Sequence, residues 1–280
     1  MIKRITILII VAAMLTFCGC TPAKPGQGGV SIVSTCYPIY IAAINMLKGV
    51  TGATLSVLEM PKSGCLHEYS LTPDQRSHLE KAQCVLANGM GLEEFLAPIA
   101  ASLPIAYVGE GFTGEDNAHI WMCIAGLKYQ ANGVLVALIA LLPDSREALE
   151  DNYAAYVARL DACEAALMQE GIAGASVAIA DPALYYLGVQ LGLEMDVVMP
   201  GEEEEATPKQ LSAYLDTMRE KGTTLILNGL EDVSGADMLA RETGAQILAL
   251  ETLLYGDTAD MDGVIKLLKA QCDKVKEALR

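Results

Sequence analysis

The sequence predicts an α/β protein with two lobes of parallel sheet, flanked by helices and joined by one long rigid helix. Three observations lead to this prediction. Short β-branched strands alternate with helical patterns in both halves of the chain, a long helical pattern without Pro or Gly separates the halves, and each half contains a Thr-Pro-x-Gln helix start. Strands that alternate with helices form parallel sheets with right-handed crossovers.

The N-terminal residues are predicted to be a targeting segment. In residues 1–19, two basic side chains precede an apolar run from Ile5 to Phe17, which is too short for a transmembrane helix and typical of a signal peptide. The small residue before Cys20 resembles a bacterial lipobox, so we expect Cys20 to be lipidated, with Cys18 as the competing site. Residues 20–29, rich in Pro, Gly and Lys, then form a flexible tether.

This segment predicts a cell-membrane protein that is lipid-anchored on the extracytoplasmic face and does not span the bilayer. The chain has a net charge of −16, and removal of the signal peptide takes away two positive charges and no negative ones. This acidic balance disfavours nucleic acid as a partner and favours a cation. The eight cysteines include no Cys-x-x-Cys pair, so we expect mostly buried thiols and no cysteine zinc knot.

Residues 30–142 are predicted to form the N-terminal lobe. Its strands and helices alternate: strands Gly29–Ser34, Ala53–Glu59, Cys84–Asn88 and Ile105–Val108, and helices Ile39–Leu47, Pro73–Ala82 and Leu92–Ser102. Thr72 begins a capping box with Gln75 at the start of the second helix. His67 comes just before that helix and His119 follows the fourth strand, so both histidines are expected outside the carboxyl ends of strands.

Residues 143–171 are predicted to be a connecting helix, because Ser145–Gln169 has apolar residues at three- and four-residue spacing and no Gly or Pro hinge. At 1.5 Å per residue this helix is about 37 Å long, enough to run the length of a domain. We expect only small motions of the lobes about it.

Residues 172–280 are predicted to form the C-terminal lobe. Its strands are Ala175–Ala180, Met195–Met199, Thr223–Asn228 and Gln246–Leu250, and its helices are Ala183–Leu191, Pro208–Lys221, Ala236–Thr243 and Asp260–Arg280. Thr207 starts the second capping box. Asp181 follows the first of these strands and Glu251 the last.

Four metal-competent side chains therefore follow strands: His67, His119, Asp181 and Glu251. The carboxyl ends of parallel strands are where a cleft between lobes would bind a ligand. Two imidazoles and two carboxylates suit Zn2+, and they also suit manganese and iron. Cys65 is an alternative soft ligand, whereas His78 is interpreted as a plain helix residue.

Five motifs occur in order along the chain: Tyr37-Pro38-x-Tyr40, His67-Glu68-Tyr69-x-x-Thr72-Pro73, Asn88-Gly89-x-Gly91-Leu92-Glu93, His119-Ile120-Trp121 and Asn152-Tyr153-Ala154-Ala155-Tyr156-x-x-x-Leu160. With these motifs the chain resembles the metal-binding receptor lipoproteins of zinc and manganese ABC importers, the TroA-like family. The resemblance runs from about residue 30 to the C-terminus, and it implies two α/β lobes, one long connecting helix and a metal in the cleft.

The resemblance also implies roles for the four side chains. His67 matches the family's first histidine ligand and His119 its second. Asp181 stands where the family usually has His or Glu, and Glu251 stands where it usually has Asp. The chain departs from the family in two further ways: it lacks the usual Asp-Pro after Trp121, and it lacks a histidine-rich loop.

The function expected from the sequence is that of a monomeric, lipid-anchored receptor, which captures Zn2+ or Mn2+ and passes it to an ABC importer permease. Catalysis is not expected, because four protein ligands close a coordination sphere that a catalytic zinc would leave open. The alternative is an adhesion or structural lipoprotein on the same scaffold with a degenerate metal site. A metal-dependent hydrolase is disfavoured by the absence of a His-Glu-x-x-His motif.

Overall fold

The computed structural model describes residues 29–59, 69–168, 171–200, 206–230 and 235–280. The predicted signal peptide, Cys18, Cys20, most of the tether, Cys65 and His67 lie outside these described residues. Within them, the chain forms two four-stranded parallel sheets of the same strand order, flanked by helices. This architecture confirms the predicted fold class.

The first sheet contains β1 (Val30–Ser34), β2 (Ala53–Val57), β3 (Cys84–Ala87) and β4 (Ile105–Tyr107), in the order β2-β1-β3-β4. Its register places Ser34 of β1 beside Val57 of β2 and Leu86 of β3. Every residue of β3 is buried, because the strand lies inside the sheet and both faces are covered.

The second sheet repeats this arrangement with β5 (Ser176–Ile179), β6 (Glu194–Val198), β7 (Leu225–Gly229) and β8 (Gln246–Leu250), in the order β6-β5-β7-β8. Its pairings are also parallel, with one register shift between Val177 and Ala178 where β5 meets β6. In both sheets the order reverses beside the first strand of the lobe, and such switch points are where open α/β sheets bind ligands.

The helices are α1 (Tyr37–Met46), α2 (Pro73–Glu80), α3 (Ile124–Leu141), α4 (Arg146–Met168), α5 (Tyr185–Leu191), α6 (Pro208–Lys221), α7 (Ala236–Thr243) and α8 (Gly263–Ala278). One predicted helix is wrong: Leu92–Ser102 is broken into short 3-10 turns at Glu94–Leu96 and Ala100–Ser102. Pro98 lies between these turns, and proline lacks the N–H and clashes with the preceding turn of an α-helix.

The 23-residue helix α4 is the long connecting element between the two sheets. It packs against α1 and α3 of the first lobe and α8 of the second. Its Tyr156 is fully buried, and the Arg159 guanidinium lies 5.6 Å from the Tyr156 ring centroid. Arg159 also contacts Asn45 of α1 in the first lobe, and its Nε donates to Asp262 Oδ1, just before α8 of the second lobe, at 2.8 Å. Helix α4 is therefore hydrogen-bonded to both lobes.

Helix α3 is long and apolar enough, by length and composition, to cross a membrane. A core helix passes the same test, and α3 packs against α1 and α4. Leu127, Val134 and Leu138 are buried within the main hydrophobic core. These contacts favour the interpretation of α3 as a core helix.

Five cysteines fall within the described residues, and all five are buried free thiols: Cys36, Cys84, Cys123, Cys163 and Cys272. Burial raises the pKa of the Cys84 thiol to about 11. Burial likewise raises the pKa of Cys272 to about 12. The thiolate is the reactive form, so these side chains act as small hydrophobic groups, as the sequence predicted.

Both predicted capping boxes are present, at Thr72 and at Thr207. In the second, Thr207 Oγ1 accepts from the Gln210 N–H at 3.3 Å, and Gln210 Oε1 accepts from the Thr207 N–H at 2.9 Å. Thr207→Ala removes the cap of α6, and we expect the free energy of unfolding to fall by about 1 kcal/mol. Urea denaturation followed by circular dichroism measures this change.

The matched control is Thr217→Ala in the same helix, where the hydroxyl donates only to the Ala213 carbonyl one turn earlier. That bond caps no helix end, so we expect a change below about 0.5 kcal/mol. Equal stability of the two variants would show that the capping box contributes nothing to α6.

Candidate metal centre

The predicted ligands of the C-terminal lobe follow its strands directly. Asp181 lies two residues after β5, and Glu251 is the first residue after β8. His119 stands at the end of the long loop after β4, immediately before a 3-10 turn at Ile120–Met122. The fourth predicted ligand, His67, lies outside the described residues.

The His119 imidazole is oriented by Asn117. Asn117 Oδ1 accepts from the His119 backbone N–H at 2.9 Å and lies 3.0 Å from His119 Nδ1. A backbone N–H can only donate, so the Asn117 atom is the amide oxygen, and Nδ1 must carry the ring proton. The neutral imidazole then has its lone pair on Nε2, the arrangement that suits a metal-ligating histidine.

The Asp181 carboxylate is held by its own turn. Its Oδ1 accepts from the Ala183 N–H at 2.8 Å and caps the 3-10 turn Pro182–Leu184 that leads into α5. Its Oδ2 lies against Gly229 at the end of β7, where any β-carbon would collide with it. Because Gly229 has no side chain, the Asp181 carboxylate occupies the space beside it. The loop after β5 therefore packs closely against the end of β7.

Glu251 lines a cavity of about 570 Å³ at the strand ends of both lobes. The Glu251 N–H donates to Gln271 Oε1 of α8 at 3.2 Å. Glu59, the second residue after β2, lines the same cavity together with Thr35 and Tyr37 from the start of the first lobe. The volume is within the usual range for a ligand site, and carboxylates from both lobes make the cavity attractive to cations.

Within the described residues, the three predicted ligands His119, Asp181 and Glu251 do not line one common cavity. His119 and Asp181 do not line the cavity that contains Glu251. Within the described ranges, no group of three or more His, Cys, Asp or Glu side chains is close enough to hold a metal ion. The four-ligand set therefore stays a prediction, with its first member, His67, outside the part of the chain that the structure describes.

His78 and Trp121, which are not among the proposed ligands, have clear surroundings. His78 lies within α2, and its Nε2 is 2.8 Å from Ser56 Oγ, which agrees with its interpretation as a helix residue. Trp121 is fully buried, and its Nε1 donates to the Thr252 carbonyl of the other lobe at 2.7 Å.

Glu93 is a structural centre that the sequence did not predict. Its buried carboxylate accepts from Thr35 Oγ1 at 2.7 Å and from the Asn88 and Gly89 N–H groups, each at 2.8 Å. Burial raises the pKa of the Glu93 carboxyl, and these hydrogen bonds oppose that shift. Glu93 thereby joins the loops after β1 and β3; its only sequence signal is its place at the end of the Asn-Gly-x-Gly-Leu-Glu motif.

Asn117 was not predicted from the sequence either, because its signal there is weak. Its position two residues before His119 is compatible with an ordinary turn. Its role is visible only from its contacts, which include a 2.7 Å hydrogen bond from Nδ2 to the Pro182 carbonyl of the other lobe.

Two parallel-sheet lobes of identical strand order, one long connecting helix and a cavity at the facing strand ends define a substrate-binding protein of the helix-linked, TroA-like class. Residues 32–278 match the family ZnuA, described as zinc-uptake complex component A, periplasmic. The match covers most of the chain, and the protein therefore belongs to this family. Membership confirms the predicted class of function, a metal-binding substrate-binding protein.

Individual relatives are distant. The chain is 25% identical, over 99% of both chains, to a Thermotoga maritima protein whose name mentions metal binding. It is 24% identical to the zinc-binding lipoprotein AdcA of Streptococcus pneumoniae, matching 98% of this chain and 61% of AdcA. Among solved structures, FpvC of Pseudomonas aeruginosa in complex with Mn2+ is similar with a TM-score of 0.77, at 23% identity over 90% of this chain and 98% of FpvC.

Proposed function

We propose that this protein captures Zn2+ or Mn2+ in the cleft between its lobes and delivers it to the permease of an ABC importer. The proposed ligands are His67, His119, Asp181 and Glu251. The observation that carries the proposal is the contact between His119 and Asn117: Asn117 Oδ1 lies 3.0 Å from His119 Nδ1, which places the ring proton on Nδ1 and the lone pair on Nε2, the nitrogen that we propose binds the metal. The names of a zinc-binding relative and of a similar structure in complex with Mn2+ support the same cargo.

The proposed donor set accounts for the proposed cargo and for a proposed role in binding and not in catalysis. Imidazole nitrogen and carboxylate oxygen bind Zn2+ well, and carboxylates also suit Mn2+. Four protein ligands leave no position for an activated water, so we propose a binding protein and not an enzyme. The metal is cargo that must be released, and the acidic chain favours its arrival at the cleft.

We further propose the location and domain limits that the sequence predicted. Residues 1–19 are a signal peptide, Cys20 carries the lipid, and residues 20–29 are the tether. The N-terminal lobe spans residues 30–142, the connecting helix 143–171 and the C-terminal lobe 172–280. The protein is held at the extracytoplasmic face of the cell membrane, which the lipoprotein name of AdcA supports. We also propose that it is monomeric.

Calorimetric titration of the lipid-free protein with Zn2+ and Mn2+ tests the proposed function, with elemental analysis of protein purified without added metal to identify the cargo. We expect one ion per chain for the wild type. For Asp181→Ala we expect metal affinity to fall at least about 10- to 100-fold. Losses of that size are typical even for residues that only hydrogen-bond to a metal ligand. A wild type that binds neither ion would overturn the proposal and favour the adhesion or structural alternative.

Asp181→Asn is the matched control, because asparagine caps a helix end as well as aspartate does but carries no charge and has an NH2 group in place of one carboxylate oxygen. We expect this variant to lose metal affinity while it keeps the stability of the wild type. Wild-type affinity in Asp181→Asn would show that Asp181 only caps the turn before α5.

A further inference from the structure

Asn117 and Trp121 lie two positions before and two positions after His119, and each donates a hydrogen bond to the other lobe. Asn117 Nδ2 donates to the Pro182 carbonyl at 2.7 Å, and Trp121 Nε1 donates to the Thr252 carbonyl, also at 2.7 Å. Pro182 directly follows Asp181, and Thr252 directly follows Glu251. The segment Asn117–Trp121, here called the bracket, therefore connects one proposed ligand to the loops of two others.

Asn117 performs two tasks, and its amide geometry is determined independently at each end. The oxygen accepts from the His119 N–H, which can only donate, and the nitrogen donates to a carbonyl, which can only accept. Neither end would tolerate a flipped amide. The same side chain thus fixes the proton on His119 Nδ1 and holds the turn that begins at Asp181.

The bracket is also held within its own lobe. The Ala118 carbonyl accepts from Asn88 Nδ2 at 3.0 Å, and Asn88 Oδ1 accepts from Gln130 Nε2 of α3 at 2.7 Å. Trp121 is fully buried, with its ring centroid 5.1 Å from that of His119. Because the bracket is fixed within the first lobe, its bonds to Pro182 and Thr252 set where the loops of the second lobe lie relative to the first.

We infer that Asn117 and Trp121 are positioning residues, which set the placement of His119 relative to Asp181 and Glu251 before the metal arrives. This inference rests on the proposed function. Its physical basis is preorganisation: a ligand whose tautomer and orientation are already set loses less conformational freedom when the ion binds. Groups behind metal ligands commonly change metal affinity by about 10- to 100-fold.

The test compares Asn117→Ala with Tyr186→Phe. Tyr186 Oη also makes a bond between the lobes, to the Glu115 carbonyl at 3.0 Å, but Glu115 lies outside the bracket. We expect Asn117→Ala to lower Zn2+ affinity about 10- to 100-fold by calorimetry and Tyr186→Phe to leave it within about twofold. A general loosening of the interface between the lobes would weaken binding in both variants.

Nitrogen-15 NMR of the histidine rings in the metal-free protein supplies a readout that a purely structural role would not change. We expect His119 to show a single tautomer with the proton on Nδ1 in the wild type and in Tyr186→Phe, and a mixture of tautomers in Asn117→Ala. Trp121→Phe removes the bond to Thr252 and part of a buried ring, but it leaves Asn117 in place, so it should keep the tautomer and still lose affinity.

The outcomes separate this inference from the proposed function. If the wild type binds no metal, the proposed function fails and the inference fails with it. If the wild type binds metal while Asn117→Ala shows wild-type affinity and an unchanged His119 tautomer, only the inference is overturned. Equal losses in Asn117→Ala and Tyr186→Phe would also overturn it, because the bracket would then have no special role.

Discussion

Simultaneous replacement of His67 and His119 by alanine is expected to abolish measurable binding of Zn2+ and Mn2+. The two residues supply both imidazoles of the proposed four-ligand site, and two carboxylates alone match the preference of Zn2+ for nitrogen and sulfur donors poorly. The measurement is calorimetric titration of the lipid-free variant beside the wild type. We expect at least a 100-fold loss, about 2.7 kcal/mol of binding free energy or more.

His78→Ala is the matched control, because His78 is the one remaining histidine of the three in the chain. It lies in α2 beside Ser56, and we assign it no ligand role. This variant should bind metal like the wild type. Unchanged binding in the double variant, or a loss in His78→Ala as large as in the double variant, would contradict the proposed site.

Gly126→Ala should produce the largest loss of stability among the substitutions considered. Gly126 lies in the first turn of α3, where a β-carbon would overlap the Ile120 carbonyl oxygen, a backbone atom of the turn directly after His119. Alanine at a helical glycine ordinarily gains up to about 1 kcal/mol. Here the backbone must shift, and we expect a net loss of about 3 kcal/mol by urea denaturation.

Gly171→Ala is the control for this prediction. No atom lies within 4 Å of a β-carbon built at Gly171, and its backbone conformation accepts a side chain. Its stability should stay within about 0.5 kcal/mol of the wild type. Gly126→Ala should also weaken metal binding, because the displaced Ile120 turn adjoins His119. Wild-type stability in Gly126→Ala would contradict the close packing of α3 on the Ile120 turn.

The correspondence between sequence and structure is closest where the signal is local. Helices Pro208–Lys221 and Ala236–Thr243 and strand Gln246–Leu250 have the predicted bounds, since caps, turn glycines and apolar periodicity all lie within the segment itself. The Leu92–Ser102 prediction was wrong because apolar spacing was given more weight than Pro98, which prevents a continuous helix.

For the candidate site, the sequence predicted that Asp181 and Glu251 directly follow strands, because strand ends follow from periodicity, and the structure places both there, whereas His119 lies beyond a long loop after β4. It could not locate their neighbours. Asn117 meets Pro182 across 65 positions of the chain, and Trp121 meets Thr252 across 131. Neither pairing leaves a periodic trace, because each depends on how the two lobes face one another.

The sequence by itself determined the two α/β lobes, the long connecting helix and the metal-receptor family, because repeated strand-helix units and ordered motifs are properties of consecutive residues. Only the tertiary structure decided that His119 is held between Asn117 and Trp121 and that these two side chains bind beside Asp181 and Glu251. The physical reason is that hydrogen bonds between lobes depend on distance and direction in space, which the packing of α4 against both lobes establishes.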